Sequence, residues 1–247
     1  MAVYVLVGGA WLGGWCWQPV ARRLRDEGHD VYPVTLTGLG ERAHLAGPEV
    51  DLETHIQDVV NLVEFEDVGD IILLGHSYAG IVVTGVADRI PDRISQLVYL
   101  DAEPIPEGAA LIEMFPPEAR NQIEGQISEL GDGWRYPMPP PEELANLGSL
   151  EGLDEDDLDL IYSRAVDQPF GTYTQSLRLE NPAREDLPRL GILCSFSLDQ
   201  VQEMIDSGNP LFLEFADPTW RFEELPTGHW PMFSRPDDLA ELLARCL

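Results

Sequence analysis

The chain has 247 residues, enough to bury one core without requiring a second folding unit, and its 44 % hydrophobic and 24 % charged content is that of a globular protein. Its 44 acidic residues stand against 15 basic ones, every one an arginine, and the formal charge of -29 argues against nucleic acid and anionic membrane surfaces as partners. Cys16, Cys194 and Cys246 lack disulfide-framework or zinc-site spacing, the N-terminus lacks the basic region of a signal peptide, and no window reaches the roughly 18 apolar residues of a membrane span, so a cytoplasmic protein without a disulfide framework or zinc site is expected.

Residues 3–7 (VYVLV) form a short β-rich run ended by Gly8 and Gly9, and 17–26 (WQPVARRLRD) has amphipathic helical spacing before a stop at Gly28. The rhythm continues with a strand near 30–35, a helix near 52–64, a strand at 70–74, a helix near 79–88 and a strand at 95–100. Such alternation predicts an α/β fold, a mainly parallel, doubly wound sheet with helices on both faces. From 104 to 180 the texture changes to Pro-rich segments between short helical patterns carrying Trp134, Tyr136, Tyr162, Phe170 and Tyr173, which reads as a small inserted helical cap. Within it the acidic run at 154–159 reads as a solvated face, since it lacks the glycine of a calcium loop. Strand 190–195, a helix near 199–207, strand 220–225 and a last helix at 236–246 resume the core. The expected division is a core of 1–103 with 181–247 and a cap of 104–180.

Strand 70–74 runs into Gly75-His76-Ser77-Tyr78-Ala79-Gly80 and then an apolar helix, the strand–turn–helix context of a nucleophile elbow. Ala79 takes the place of the second glycine of that pattern, a departure of one methyl group. A serine hydroxyl attacks only when a base removes its proton, so a histidine must reach Ser77. Of five histidines, His29 precedes a strand, His44 lies in a polar loop, His55 sits on a helix near the surface and His76 points away inside the elbow; His229, after the last strand, is left as the base. Two acids compete to orient it: Asp101 ends the strand after the elbow, and Asp199 follows the strand after the cap. Asp199 also fits a capping box begun by Ser197 and closed by Gln200. The oxyanion donors expected are the backbone N–H groups of Tyr78 and Ala10, with Trp11 and Trp230 lining an apolar substrate pocket.

Together VGGAWLGGWCW, TLTGLGERAHL, GHSYAG, VYLDAEPIPEG and LPTGHWPMFSRPDDLA resemble the bacterial carboxylesterases and pyrethroid-type esterases, α/β-hydrolases related to plant methylesterases and hydroxynitrile lyases. The resemblance spans nearly the whole chain. It implies a cofactor-free Ser–His–Asp hydrolase with Ser77 as nucleophile, His229 as base, and Ala10 and Tyr78 as oxyanion donors. Gly8 departs from the family's usual His, and the family's usual acid position falls on Ser197. Some α/β-hydrolases take the acid from the preceding strand end, which Asp101 matches, so Asp101 is preferred to Asp199.

Trp230 stands where the lyase relatives carry a lysine, in a chain that has none, which excludes cyanohydrin cleavage by that route. Ser77 stands where dehalogenases and epoxide hydrolases of the fold carry Asp. The expectation is therefore cleavage of a small, largely apolar carboxylic ester or lactone through an acyl-enzyme. The alternatives are a tailoring enzyme of secondary metabolism that cyclises or transfers acyl groups, and a low-turnover ligand-binding receptor. The expected partner is a small-molecule ester, with self-association into a homodimer left open.

Overall fold

The computed structural model describes residues 1–209 and 212–246. Strands β1 (Val3–Val7), β2 (Asp30–Val34), β3 (Ile71–His76) and β4 (Ile94–Leu100) are followed by a short antiparallel ladder of β5 (Arg135–Tyr136) and β6 (Gln168–Pro169), then by β7 (Arg189–Leu193) and β8 (Trp220–Glu224). Apart from β5 and β6 they form one six-stranded parallel sheet in the order β2-β1-β3-β4-β7-β8. The chain winds outward from β1 to β2, returns across β1 to β3, and continues the other way. The order therefore reverses between β1 and β3, and open α/β sheets place ligand crevices at that point, at the carboxyl ends of the strands.

The helices follow from their local chemistry. Helix α1 (Gln18–Asp26) starts with a proline in its first turn and stops before Gly28, whose φ of 87° favours glycine. Helix α2 (Leu52–Phe65) is capped by Asp51, which accepts from the Thr54 N–H at 2.9 Å, and its apolar face packs on α3 (Ala79–Arg89). The closing helix (Pro236–Arg245) packs on α1. Right-handed crossovers put α1 on one face of the sheet and α2 and α3 on the other. His55 is a correction: expected near the surface, it is fully buried in α2, because Tyr78 and the Thr37 carbonyl occupy both its ring nitrogens at 2.8 Å each.

Between β4 and β7 the chain forms α4 (Pro117–Leu130), α5 (Pro141–Leu147), α6 (Glu155–Arg164) and the single turn α7 (Gly171–Thr174). The acidic run here starts α6. Asp154 caps it, accepting from the Asp157 N–H at 2.9 Å, and Glu155, Asp156 and Asp157 in the first turn complement the helix dipole. Among the described residues no cluster of His, Cys, Asp and Glu could hold a metal ion, and no helix is long and apolar enough to cross a membrane.

Candidate active site

At the end of β3 the chain turns within three residues into α3, and Ser77 takes a left-handed conformation with φ of 51°. Such a conformation costs a non-glycine residue of order 1–3 kcal/mol. Val82, Val83 and Val86 behind it are fully buried, and each contributes roughly 1.5–3 kcal/mol, so the helix packing outweighs the strain. The turn is pinned by the Ser77 N–H donating to the Leu100 carbonyl at 3.2 Å and the Gly80 N–H donating to the Ser77 carbonyl at 2.9 Å. A Cβ at Gly75 would stand 2.9 Å from Val83 Cγ1, so only glycine lets strand and helix come this close.

Asp101 closes β4, also left-handed with φ of 44°. Its Oδ2 lies 2.6 Å from His229 Nδ1. The same oxygen accepts from the Ser195 hydroxyl at 2.6 Å, while Oδ1 accepts the Cys194 and Ser195 N–H groups, each at 2.9 Å. Burial opposes ionisation, but the His229 hydrogen bond and charge, with the Ser195 contacts, outweigh it and hold this carboxyl well below its usual value. The arrangement leaves Nε2 as the ring nitrogen of His229 that is free to face the cavity shared with Ser77.

His229 is held by its backbone as well. Its N–H donates to the Ser149 carbonyl at 2.7 Å, and its own carbonyl accepts from His76 Nε2 at 2.7 Å. His76 therefore turns away from Ser77, as the sequence suggests, and buttresses the base from below. Burial, then the nearby His229 charge, pushes the His76 pKa down to about 3, which keeps it neutral and keeps this donor in place. Gly148 completes the seat, since a Cβ there would stand 2.7 Å from His229 Cγ.

Two cavities meet at Ser77 and His229. The smaller, about 70 Å³, is walled by Ala10, Trp11, Tyr136, Leu144 and Trp230; the larger, about 710 Å³, by Ile81, Ile105, Leu111, Met114 and Phe196 together with the polar edge of Asp101 and Glu103. Trp11 is a wall tied to the 104–180 segment, since its indole N–H donates to the Tyr136 carbonyl at 3.0 Å and its backbone N–H to Gln168 Oε1 at 3.1 Å. Trp230 packs edge-on against His229, with ring centroids 4.8 Å apart. Among the described residues no protein acceptor takes the backbone N–H of Ala10 or of Tyr78. The Tyr78 ring is itself fixed, bonded to His55 and stacked on Tyr173 at 5.6 Å.

Asp199, the competing acid, is a correction: it lies exposed in the first turn of α8 (Leu198–Asp206), behind the capping box of Ser197 and Gln200, and the structure does not bring it to His229. Glu103 is the residue that reading the sequence passes over. Its position two residues beyond Asp101, on the same strand-end loop, is the signal that could have found it.

The fold has known counterparts. The model for the Alpha/beta hydrolase family matches residues 4–242. The chain belongs to the α/β hydrolase family. It is 40% identical over 256 residues to a carbendazim hydrolyzing esterase of Nocardioides sp. (strain SG-4G), covering 99% of both chains. It is 29% identical to a pyrethroid hydrolase of Sphingobium wenxiniae, covering 97% of this chain and 85% of that one. Among solved structures, an extracellular α/β-hydrolase from a Paenibacillus species superposes with a TM-score of 0.81 at 23% identity, covering 99% and 98% of the two chains, which shows the shared fold.

Proposed function

We propose that this α/β hydrolase cleaves a carboxylic ester through an acyl-enzyme formed on Ser77. The observation that carries the reading is the 2.6 Å Asp101–His229 pair beside the elbow serine. His229 Nε2 takes the Ser77 proton as Oγ attacks the ester carbonyl, and returns it to the leaving alcohol; Asp101 holds the tautomer and stabilises the imidazolium. Water, activated by the same histidine, then releases the acid. The N–H groups of Ala10 and Tyr78 serve as the oxyanion hole, a role supported by their lack of other acceptors, since unpaired backbone donors at a buried site are rare.

The relatives named as esterases and hydrolases support ester cleavage over the receptor reading, as does an intact nucleophile elbow. In the same reading residues 104–180 act as a cap over a core of 1–103 with 181–247, and Trp11 and Trp230 shape the smaller pocket. The free thiols of Cys16, Cys194 and Cys246 favour a cytoplasmic site of action. The test is a fluorophosphonate probe with a panel of acyl esters, run with and without alcohol acceptors. One label at Ser77 and ester turnover to free acid support hydrolysis. Labelling that survives Ser77→Ala overturns the nucleophile assignment, and ester products formed from the added alcohols assign the chain to acyl transfer.

A further inference from the structure

We infer that Glu103 is the specificity residue of the larger cavity, where its carboxyl bonds the N–H edge of a nitrogen-bearing substrate and so selects esters carrying a neutral or cationic N–H donor. This deepens the esterase reading and rests on it for the word substrate, though not for the binding itself.

The argument starts from hydrogen-bond capacity. Asp101 has used its own: both oxygens are occupied by His229, Cys194 and Ser195. Glu103 stands two residues further on, lining the same cavity as Ser77, and among the described residues no donor other than its own backbone N–H reaches its carboxyl. Its backbone runs close against the start of α3, where a Cβ at Gly80 would stand 3.0 Å from the Glu103 carbonyl oxygen. Glu103 is half-buried in the cavity wall, and a carboxyl there without protein donors is one to which a ligand N–H adds a hydrogen bond shielded from bulk water. Burial and the Asp101 charge raise the Glu103 pKa, with His229 opposing, and a cationic or neutral N–H donor placed against the carboxyl relieves both causes.

The rest of the lining selects in the same direction. None of the 15 arginines lines either cavity, and the chain has no lysine, so an anionic ligand finds no partner and faces two carboxyl groups. Ile81, Ile105, Leu111, Met114 and Phe115 supply apolar walls that suit an aromatic or aliphatic ring. An aromatic ring with an N–H edge matches both halves of this environment.

Two measurements on the whole chain test the inference and separate it from the esterase reading. In turnover, 3-acetoxybenzamidine, 3-methylphenyl acetate and 3-acetoxybenzoate present a cationic N–H edge, a methyl group and an anion on one scaffold. Wild type is expected to rank them in that order by kcat/KM, with the first exceeding the second by about tenfold or more, the usual worth of a hydrogen bond to a charged group. Glu103→Leu is expected to collapse that ratio toward one and Glu103→Gln to retain part of it; because the ratio is taken within one variant, losses of folding or of general activity cancel. In binding, calorimetry with benzamidine and benzoate needs no chemistry, and Glu103→Leu is expected to lose the preference for benzamidine. Ester turnover with a ratio that Glu103→Leu leaves unchanged overturns the role of Glu103 and leaves the esterase standing. Glu103-dependent benzamidine binding without turnover of any ester overturns the esterase and leaves the recognition standing.

Discussion

The strand ends and the 104–180 segment both wall the cavities around Ser77, but they are built by different rules. At the strand ends, position is fixed by close contact: Ser77 and Asp101 are held at positive φ, Gly75 admits no side chain, and Asp101 is saturated with hydrogen bonds. The 104–180 segment is made of short helices and aromatic side chains, joined to the core through bonds such as Trp11 to Tyr136 and His229 to Ser149. Strict geometry thus surrounds the reacting atoms, while the 104–180 segment supplies much of the shape of the pocket. A fold divided this way can change substrate through the pocket walls of the segment while the chemistry stays at the strand ends, so long as the Gly148–Ser149 seat of His229 is kept.

The division is broken first at its strict end. Ser77→Ala is expected to lower kcat by roughly 10⁴ to 10⁶-fold, with an unchanged unfolding midpoint or a slightly higher one as backbone strain eases. Asp101→Asn comes next, at about 10⁴-fold in kcat, because the amide favours the wrong histidine tautomer. Asp101→Asn with normal turnover would remove this acid from the mechanism. Where the two regions touch, Gly148→Ala pushes on the His229 ring, and a displacement of about 1 Å is worth up to 10²-fold in kcat/KM. Steady-state kinetics of this variant, with circular dichroism to verify the fold, would sharpen the comparison; full activity would show that the seat of the base yields more than the contact implies.

A smaller effect sits beneath Tyr78, the proposed oxyanion donor. Burial pushes the His55 pKa down to about 4, although its bond to the Thr37 carbonyl opposes the shift. The folded value lies below the ordinary one, so the unfolded chain binds the extra proton between them. The stability this neutral histidine contributes is complete above about pH 6.5 and is lost as pH falls toward 4. At pH 5 the loss is about 2 kcal/mol. Denaturant unfolding at pH 7 and pH 5 measures it, and His55→Gln is expected to remove this share of the pH dependence; an unchanged slope would mean the buried ring is not neutral. The smallest effect belongs to Asp199→Asn, about 0.3–1 kcal/mol of stability at a helix start with near-normal turnover.

The six core strands and the elbow were legible because short apolar, β-rich runs and glycine punctuation act locally. The choice between Asp101 and Asp199 was not legible in the residues themselves. Both follow strands, and what separates them is the loop at Cys194 and Ser195, which folds back to donate to one and leaves the other at a helix start. His55 misled for a related reason, since its helix pattern says nothing of the Tyr78 hydroxyl that meets it. The pairing of β5 with β6 joins two-residue strands far apart in the chain, too short to leave a periodic trace.

An ester hydrolase finishes each cycle holding a carboxylic acid, which is ionised at neutral pH. In this protein the newborn anion sits in a cavity without arginine, beside the Asp101 carboxylate, inside a chain of formal charge -29. Like charges in a confined, weakly screening space repel, so the carboxylate is driven out as it forms and the site is cleared for the next ester. Carboxylate products are accordingly expected to inhibit weakly, with inhibition constants well above the KM of their parent esters, and tight product inhibition would contradict this picture of electrostatic clearance.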